Sequence, residues 1–316
     1  MTAPDAAPVP YGVLAPDAYP EPGSAPVAAL IITHNEELHL PHVLPSVQWC
    51  REVYVVDSYS TDRTEEIARR HGATFVQHVF ESCGQQWDWA VRTLPQQVDW
   101  VFLLDADHIV TPELAAEVER VGEANPPGPV VGCWVPDKFI FMGRWIRHAG
   151  FYPKHRLRAF HRRFGHVTVR PGSETVVCDG ETAVLRGDNI HHNRKGLYDY
   201  VGRHNPYAYR EALSRQTHQR EPGRALGTTA ERVRWIRNHI WPLVPWWARA
   251  PARFVQTYIL SLGILDGGPG LVFCGIQAYY EFLVNAYELA MACGHLGEVP
   301  RAVGEGPAGR PGQGGA

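Results

Sequence analysis

Four apolar runs typical of buried strands alternate with helix patterns, and this alternation constrains the fold more than any other feature of the chain. The runs occupy residues 27–33, 52–57, 74–78 and 99–104. The segments between them, at 36–47, 60–72 and 84–94, each have room for one helix, and Thr111-Pro112 begins another. Alternating strands and helices predict an α/β fold with a mostly parallel, doubly wound sheet and right-handed crossovers.

Polar side chains follow three of the four predicted strands. In doubly wound sheets, ligands bind beyond the carboxyl ends of the strands, which meet at one rim. Three polar strand ends at one rim therefore predict a binding site there. They are formed by Thr33, Asn35 and Glu36 after the first strand, Asp57 after the second, and Asp105 and Asp107 after the fourth.

Asp105 and Asp107 are two residues apart at the end of the strongest apolar run. Successive strand residues point to opposite faces, so these two carboxylates share a face if the strand continues and converge if it turns. Converging carboxylates suit Mg²⁺ or Mn²⁺, and such a cation can hold a diphosphate. The alternative is an acidic turn that only ends a strand.

Composition excludes several other classes of function. The formal net charge is −3 and the sequence pI is near 6.6, so nothing favours nucleic-acid binding. The six cysteines form no C-x-x-C pair, which predicts free thiols in a reducing compartment instead of a disulfide framework or a zinc ribbon. The sixteen histidines show no H-E-x-x-H spacing.

The composition also divides the chain into four parts. Residues 1–26, rich in Pro and Ala, predict a disordered leader, and residues 297–316, rich in Gly and Pro, predict a disordered tail. The catalytic domain is predicted at 27–195 and a helical, Arg/Trp-rich extension at 196–296. Residues 203–253 hold ten Arg but only three Glu, which is typical either of a helix at a membrane surface or of a solvated helix with its Trp side chains in the core.

The sequence predicts a cytoplasmic protein that works at the inner face of the membrane at most. The N-terminus lacks the basic and apolar regions of a signal peptide. The longest apolar candidate, Tyr258 to Tyr280, is broken by Asp266-Gly-Gly-Pro-Gly270, so no spanning helix is expected. An amphipathic C-terminal helix is predicted from Tyr279 to Ala292.

Two sets of motifs in the chain resemble a known family. Ile31-Ile-Thr-His-Asn-Glu-Glu37, Val55-Val-Asp-Ser-Tyr-Ser-Thr-Asp-Arg-Thr64 and Leu103-Leu-Asp-Ala-Asp107 resemble family 2 glycosyltransferases of the GT-A fold. The later motifs are similar to the branch that contains lipopolysaccharide-core β-1,4-glucosyltransferases: Gly143-Arg-Trp-Ile-Arg-His-Ala-Gly150, Leu157-Arg-Ala-Phe160, Ser173-Glu174, His192 and Leu265-Asp-Gly-Gly-Pro-Gly-Leu271. The resemblance covers about Val27 to Ala292.

The resemblance implies inverting transfer of a hexose from a nucleotide-diphosphate sugar with Mn²⁺ or Mg²⁺. It implies Asp107 and Asp105 as metal ligands, with His192 as a third metal or diphosphate ligand. Asp107 is the main ligand, and Asp105 is better placed to contact the ribose or a metal-bound water. Arg63 either contacts the nucleotide or is a solvated helix residue. The remaining nucleotide-sugar pocket is assigned to Thr33, Asn35, Glu36, Asp57 and Gln86, with Asp57 accepting a hydrogen bond from the base.

An inverting displacement needs a carboxylate as general base on the acceptor side. Glu174 is the candidate, because it falls where this branch has an acid after a His. Here the preceding residue is Ser173. Asp137 and Glu181 are the alternatives.

Two departures from the branch concern the donor. The helix before the fourth strand reads Gln86-Trp87-Asp88, where the branch usually has Gln, a basic residue and Asn. His108 stands where a Glu commonly follows the Asp pair. A UDP-hexose is expected as donor, but the departures argue against assuming UDP-glucose.

Two other functions remain as alternatives. A nucleotidyltransferase would need a Gly-rich phosphate loop after the first strand, and Thr33-His-Asn-Glu-Glu37 contains no Gly. A non-catalytic scaffold that binds sugar nucleotides or lipids would not need Asp105, Asp107 and Glu174. The acceptor is expected to be a saccharide, a lipid-linked glycan or a metabolite, and peripheral membrane contact is left open.

Overall fold

The computed structural model describes residues 18–124, 128–170, 173–216, 235 and 239–295, and at residues 169, 170, 173, 174 and 242 it describes the backbone alone. The predicted tail lies outside the described residues, as does the predicted leader up to residue 17. Residues 18–26 of that leader belong to the folded chain, because the first strand begins at Ala25 and Tyr19 Oη donates to Val110 O at 2.7 Å.

Twelve strands are present among the described residues, and ten of them form one sheet. Its order is β3-β2-β1-β4-β8-β6-β12-β5, with β7 and β11 also paired to β6, while β9 and β10 form a separate hairpin. The strands are β1 (Ala25–Thr33), β2 (Cys50–Asp57), β3 (Thr74–Gln77), β4 (Trp100–Asp105), β5 (His108–Val110), β6 (Val130–Phe141), β7 (Arg144–Trp145), β8 (Lys154–His161), β9 (Gly165–Arg170), β10 (Ser173–Cys178), β11 (Glu181–Val184) and β12 (Asn189–His192).

Helices cover both faces of the sheet and form the C-terminal extension. They are α1 (Leu40–Val43), α2 (Thr64–Arg70), α3 (Cys83–Thr93), α4 (Pro112–Glu123), α5 (Gly196–Gln216), α6 (Trp246–Phe254) and α7 (Gly267–Ala292). Short 3₁₀ turns lie at Leu44–Val47, Trp241–Leu243 and Gly263–Asp266, and a π-helical turn lies at Val255–Leu260.

The predicted α/β architecture is confirmed. Strands β1, β2, β3 and β4 pair in parallel, and apolar clusters cover the sheet on both sides. The second half is mixed, since β8 lies antiparallel between β4 and β6. Thr111 caps α4 and Pro112 begins it, as predicted, and Gly72 follows α2 with the positive φ of +76° that favours glycine there.

Two predicted helices have different bounds. The predicted helix at 36–47 is reduced to α1 and the following 3₁₀ turn, since Pro41 and Pro45 each remove a backbone donor and constrain φ. The predicted C-terminal helix begins at Gly267, not at Tyr279, because the Gly-Gly-Pro-Gly sequence forms its first turn.

The C-terminal helices are joined by a bend. No described helix is by itself long and apolar enough to cross a bilayer, and the pair Trp246–Leu260 and Gly263–Ala292 meets that test only when the two are taken together, across a 72° bend. Helices α5 and α7 are linked by the buried Glu281, which accepts hydrogen bonds from Arg215 Nη1 at 3.0 Å and Nη2 at 3.2 Å. Trp241 Nε1 also donates to Glu281 at 3.0 Å.

Glu281→Gln is expected to lower the free energy of unfolding at pH 7 by about 2 kcal/mol, the scale of a buried hydrogen bond to a charged group, because Arg215 loses its bidentate partner and keeps only Glu211 at 2.9 Å and Glu288 at 3.8 Å. Burial alone raises the pKa of Glu281, but the hydrogen bonds and charge of Arg215 outweigh burial and lower that pKa below its usual value. The stabilisation is therefore complete above the unfolded-state pKa of about 4.3 and is lost as pH falls through the folded-state pKa. Urea unfolding of both proteins across this pH range measures it.

The matched control is Glu65→Gln, which breaks an exposed pair with Arg69 at 2.9 Å on α2. Its expected effect is at most about 0.5 kcal/mol. Equal losses in the two variants, or a Glu281→Gln difference that persists in acid, would contradict the assignment.

Candidate active site

The sheet register brings the three predicted polar strand ends to one rim. Thr33 pairs with Asp57 across β1 and β2, and Ile32 pairs with Asp105 across β1 and β4. The chain turns at Ala106 and Asp107 after β4 and enters β5 at once. The two carboxylates therefore converge at a turn, which is one of the two arrangements that their spacing allows.

Asp107 lies in a cluster with two imidazoles. Pairing of β12 with β5 places His191 opposite His108. His191 Nε2 is 3.1 Å from Asp107 Oδ2, and His108 Nε2 is 4.0 Å from Asp107 Oδ1. One potential ligand atom from each of the three residues lies within 4.8 Å of the others, so the cluster has the dimensions of a metal site.

Burial and mutual charge set the ionisation of this cluster. Burial lowers the pKa of His108 to about 4, so its imidazole is neutral at pH 7. Burial alone would raise the pKa of Asp107, but the charge and hydrogen bond of His191 outweigh it and hold that pKa well below its usual range. Burial lowers and Asp107 raises the pKa of His191, with a net rise.

His192 is not part of the Asp107 cluster. His191 takes the position that the resemblance assigned to His192. Neighbouring residues of a strand point to opposite faces, so only one of the two rings of β12 can face Asp107. The backbone N–H of His192 donates to Asp107 O at 2.9 Å. Burial, together with the charge of Arg194, lowers the pKa of the His192 ring to about 4.

Asp105 is paired with a buried arginine that was not among the predicted site residues. Arg158 Nη2 donates to Asp105 Oδ2 at 2.7 Å, and its guanidinium carbon lies 4.7 Å from the centre of the Trp87 ring. Burial raises the pKa of Asp105, but the charge of Arg158 outweighs burial and lowers it. Because Arg158 already neutralises the charge of Asp105, this carboxylate is better suited to a position beside the metal than to the role of main metal ligand.

Asp57 stabilises the loop after β2 through buried hydrogen bonds. Its Oδ1 accepts from Thr33 Oγ1 at 2.9 Å, and its Oδ2 accepts from the Ser60 N–H at 2.8 Å. Its side chain is fully buried. The predicted contact of Asp57 with the nucleotide base does not fit a carboxylate without exposed surface, and Asp57 is placed to shape the pocket through Thr33 and Ser60.

Asn35 fixes the loop after β1 to the loop after β2. Its φ is +55°, a left-handed conformation that Asn adopts more readily than most residues. Its N–H donates to Ser60 Oγ at 2.7 Å, and its Oδ1 accepts from the Thr61 N–H at 2.8 Å. Arg63 lies on the outside of these loops, 72% exposed and paired with Glu37 at 3.1 Å, so it is a solvated residue in this structure.

Glu36 connects the first loop to the segment after β12. Its Oε1 accepts from Lys195 Nζ at 2.8 Å, and its Oε2 contacts His39 Nδ1. His39 Nε2 accepts from the Arg194 N–H at 2.8 Å, so Nδ1 carries the proton that is donated to Glu36. Glu36 and Lys195, 159 positions apart in the chain, thus form one side of the rim together.

The side chains of Gln86 and Asp88, in the unusual sequence of α3, point in different directions. Gln86 is fully buried, and its Nε2 donates to Ser58 Oγ at 3.2 Å, which supports the loop that carries Ser60. Asp88 is directed away to Arg92, with a distance of 2.8 Å. The acid gained in this helix therefore does not face the pocket.

The predicted base Glu174 lies on the β9–β10 hairpin. The β9–β10 hairpin begins at Gly165 against Phe160, and its Val167 and Val176 belong to the same apolar cluster as Leu157 of β8. Glu174 is the second residue after its turn; its backbone pairs with Val169, and its side chain lies outside the described atoms.

The alternatives Asp137 and Glu181 are placed unfavourably for a general base. Asp137 is buried and paired with Arg156 at 2.9 Å. Glu181 pairs with Val130, at the far end of β6 from the residue Phe139 that pairs with His191. Nine residues of strand correspond to about 30 Å, which is too far for a role in the same step.

Sequence comparison places the chain in a family. Residues 28–187, a little over half of the chain, match glycosyl transferase family 2. The chain belongs to glycosyl transferase family 2. The expected class of enzyme, a glycosyltransferase, is thereby confirmed, and the matched region contains the rim from Thr33 to Asp107 and the hairpin of Glu174.

Named relatives in the family are distant. An uncharacterized glycosyltransferase of Rickettsia typhi is 26% identical over 198 residues, covering 59% of this chain and 66% of its own. The lipopolysaccharide core biosynthesis glycosyltransferase LpsC of Rhizobium meliloti is 24% identical over 180 residues, covering 55% and 65%. The chain thus matches less than two thirds of either relative.

Among solved structures, a mannosyltransferase from Pyrobaculum calidifontis in complex with GDP-Man and Mn²⁺ aligns with a TM-score of 0.47. Its sequence is 17% identical, and the alignment covers 88% of this chain and 90% of the mannosyltransferase.

The residues of the Asp107 cluster fit a divalent metal. Both ring nitrogens of His108 are buried and have no hydrogen-bond partner among the described residues, which is unusual for an imidazole in a core. A neutral imidazole with a free nitrogen is the form that binds metals. One carboxylate and two imidazoles suit Mn²⁺ better than Mg²⁺, which prefers oxygen ligands alone.

Proposed function

We propose that this family 2 protein transfers a hexose, with inversion, from a nucleotide-diphosphate sugar to a saccharide, lipid-linked or metabolite acceptor, with Mn²⁺ as the metal. The observation that carries the proposal is the convergence of Asp107, His108 and His191 at the same rim as the loops that follow β1 and β2. A UDP-hexose is the expected donor. The relationship to LpsC supports an acceptor of the cell envelope.

A bound cation would neutralise the leaving diphosphate as a Lewis acid. In the proposed site, Asp107, His108 and His191 hold the cation. Asp105, neutralised by Arg158, keeps a carboxylate oxygen available to accept a hydrogen bond from the ribose. The rigid loops joined by Asn35, Asp57 and Ser60 form the wall of the nucleotide pocket.

The acceptor chemistry is assigned to Glu174. An acceptor hydroxyl loses its proton to the Glu174 carboxylate as its oxygen bonds to the anomeric carbon. The bond from that carbon to the diphosphate oxygen breaks on the opposite face, so the configuration inverts.

The six cysteines are all free thiols, which supports a reducing, cytoplasmic compartment.

Thermal-shift screening of nucleotide sugars with Mn²⁺ tests the proposal. A donor at about 100 times its Kd stabilises the native state by about 2.7 kcal/mol, which raises Tm by roughly 4 °C at an unfolding entropy of about 2.1 cal/mol/K per residue. We expect one class of nucleotide sugar to give this shift, and EDTA to abolish it. Mn²⁺-dependent hydrolysis of the same donor separates an enzyme from a non-catalytic scaffold, which would show the shift without turnover.

A further inference from the structure

The bend between the C-terminal helices exposes a group of aliphatic side chains. Residues 259–265, which we call the apolar tip, include five side chains that are about half exposed or more: Ile259, Leu260, Leu262, Ile264 and Leu265. Leu260 is the most exposed, at 74%. Isolated exposed leucines are common in proteins, but a contiguous group of this kind marks an interaction surface.

The residues of the bend itself contribute no exposed charge. Between Phe254 and Tyr280 the only charged residue is Asp266. Asp266 is 3% exposed. Its carboxylate accepts a hydrogen bond from the N–H of His148 at 3.0 Å and contacts His148 Nδ1 at 2.8 Å. An uncharged surface of this length suits the hydrocarbon of a bilayer, whereas protein interfaces normally carry a polar rim.

The apolar tip is a packed part of the fold. A Cβ at Gly270 would lie 2.4 Å from Gly263 O, and a Cβ at Gly263 would lie 2.8 Å from Cys274 Sγ. The two segments therefore approach more closely than any side chain would permit. Leu262 has a φ of +58°, a conformation costly for leucine. The motif Leu265-Asp-Gly-Gly-Pro-Gly-Leu271 thus holds the aliphatic side chains outward.

Two exposed cations lie beside the bend. Arg144 is exposed and its Nη1 lies 2.9 Å from the position of a Cβ on Gly267, which follows the tip in the chain. Arg147 is also exposed. These cations complement anionic headgroups.

The tip is connected to the proposed metal site by direct packing. Phe273 of α7 contacts Phe139, with ring centres 5.6 Å apart, and Phe139 contacts His191, with ring centres 5.0 Å apart. A membrane that covers the tip would therefore lie on the side of the site that carries Phe139 and His191. A substrate anchored in that membrane could reach it without leaving the lipid.

We propose that the apolar tip inserts into one leaflet of an anionic membrane and that the acceptor is a lipid-linked saccharide presented from that membrane. The part concerning the acceptor rests on the proposed function, whereas the part concerning membrane insertion does not. Insertion places the 72° bend of the helix pair in the headgroup and upper acyl region, and the pair does not cross the bilayer.

Flotation of the full chain with vesicles tests the insertion. The probes are vesicles of phosphatidylcholine alone and of phosphatidylcholine with about 30% phosphatidylglycerol. We expect the native protein to float with the anionic vesicles. Leu260→Glu or Leu265→Glu should lower the partition coefficient about tenfold or more, because each replaces an aliphatic group that enters the membrane with a charge.

The matched control is Val184→Glu, which places the same charge on β11 at a side chain that is 61% exposed. Its partition should stay within about twofold of the native value. All three variants should keep Mn²⁺-dependent donor hydrolysis in solution, because none touches the proposed site. Native protein that does not float at low salt, or tip variants that float like the native protein, would overturn the insertion.

Two further outcomes separate the alternatives. If Leu260→Glu converts a dimer to a monomer in analytical ultracentrifugation without changing flotation, the tip is a contact between copies of the chain and the proposal is overturned. Native protein that floats but hydrolyses no nucleotide sugar supports insertion and removes the proposed function. Native protein that hydrolyses a donor but does not float retains that function and overturns this inference alone.

Discussion

Asp107→Asn is expected to lower Mn²⁺-dependent sugar transfer by about 10³-fold, the scale on which removing one electrostatic group from an active site acts. Asp107 supplies the only carboxylate of the three-residue cluster, and the amide keeps its shape without its charge. The imidazoles of His108 and His191 alone, without a carboxylate, should bind Mn²⁺ much more weakly. Steady-state kinetics give the loss in kcat/KM, and calorimetric titration with Mn²⁺ gives the loss in metal affinity.

Asp99→Asn is the matched control for this variant. Asp99 comes just before β4 and so lies at the opposite end of the same strand, where it pairs with Arg162 at 3.5 Å. Transfer by Asp99→Asn should remain within about threefold of the native rate, and circular dichroism should show both variants folded. If Asp107→Asn retains Mn²⁺ affinity and turnover, the metal is held elsewhere and the proposed site is wrong.

Glu174→Gln is expected to reduce transfer by about 10³-fold, within the range for a general base, while donor and Mn²⁺ binding persist. The glutamine cannot accept the acceptor's proton, but it leaves the backbone of the β9–β10 hairpin unchanged. The thermal shift produced by the nucleotide sugar with Mn²⁺ should equal that of the native protein. A loss confined to kcat distinguishes a base from a residue that binds the donor.

Glu181→Gln serves as the control, since Glu181 is an exposed acid on β11 at the far end of β6. Its turnover should be close to native. Near-native turnover by Glu174→Gln would exclude Glu174 as the base. In that case Asp137→Asn is the next variant to measure. Because Asp137 is paired with Arg156, we expect Asp137 to balance charge at the rim and not to act as the base.

The rim of the site could be predicted because strand ends and sheet order follow from local patterns. The apolar runs before Thr33, Asp57 and Asp105 read as buried strands, and parallel strands bring their carboxyl ends together. The structure pairs these strands as expected. What the pattern left open was the choice between a continued strand and a turn after Asp105, which depends on the later pairing of β5 with β12.

The remaining site residues depend on long-range pairing that the sequence does not reveal. His191 and His192 are adjacent, and only the register of β12 against β5 decides which ring faces Asp107. Arg158 lies within the quoted motif Leu157-Arg-Ala-Phe160, but its ion pair with Asp105 and its contact with Trp87 require β8 to lie beside β4. The bend at Gly263 and Gly270 likewise depends on a close approach between two segments.

The position of β12 has a consequence for how the enzyme can be divided. The family match ends at residue 187, yet β12 lies inside the sheet between β5 and β6 and carries His191. A fragment cut at the end of that match would have a gap in its sheet and would lose both His191 and the Lys195 partner of Glu36. The smallest self-sufficient unit must therefore extend past Lys195, and a functional fragment cannot be cut at the boundary of the family match.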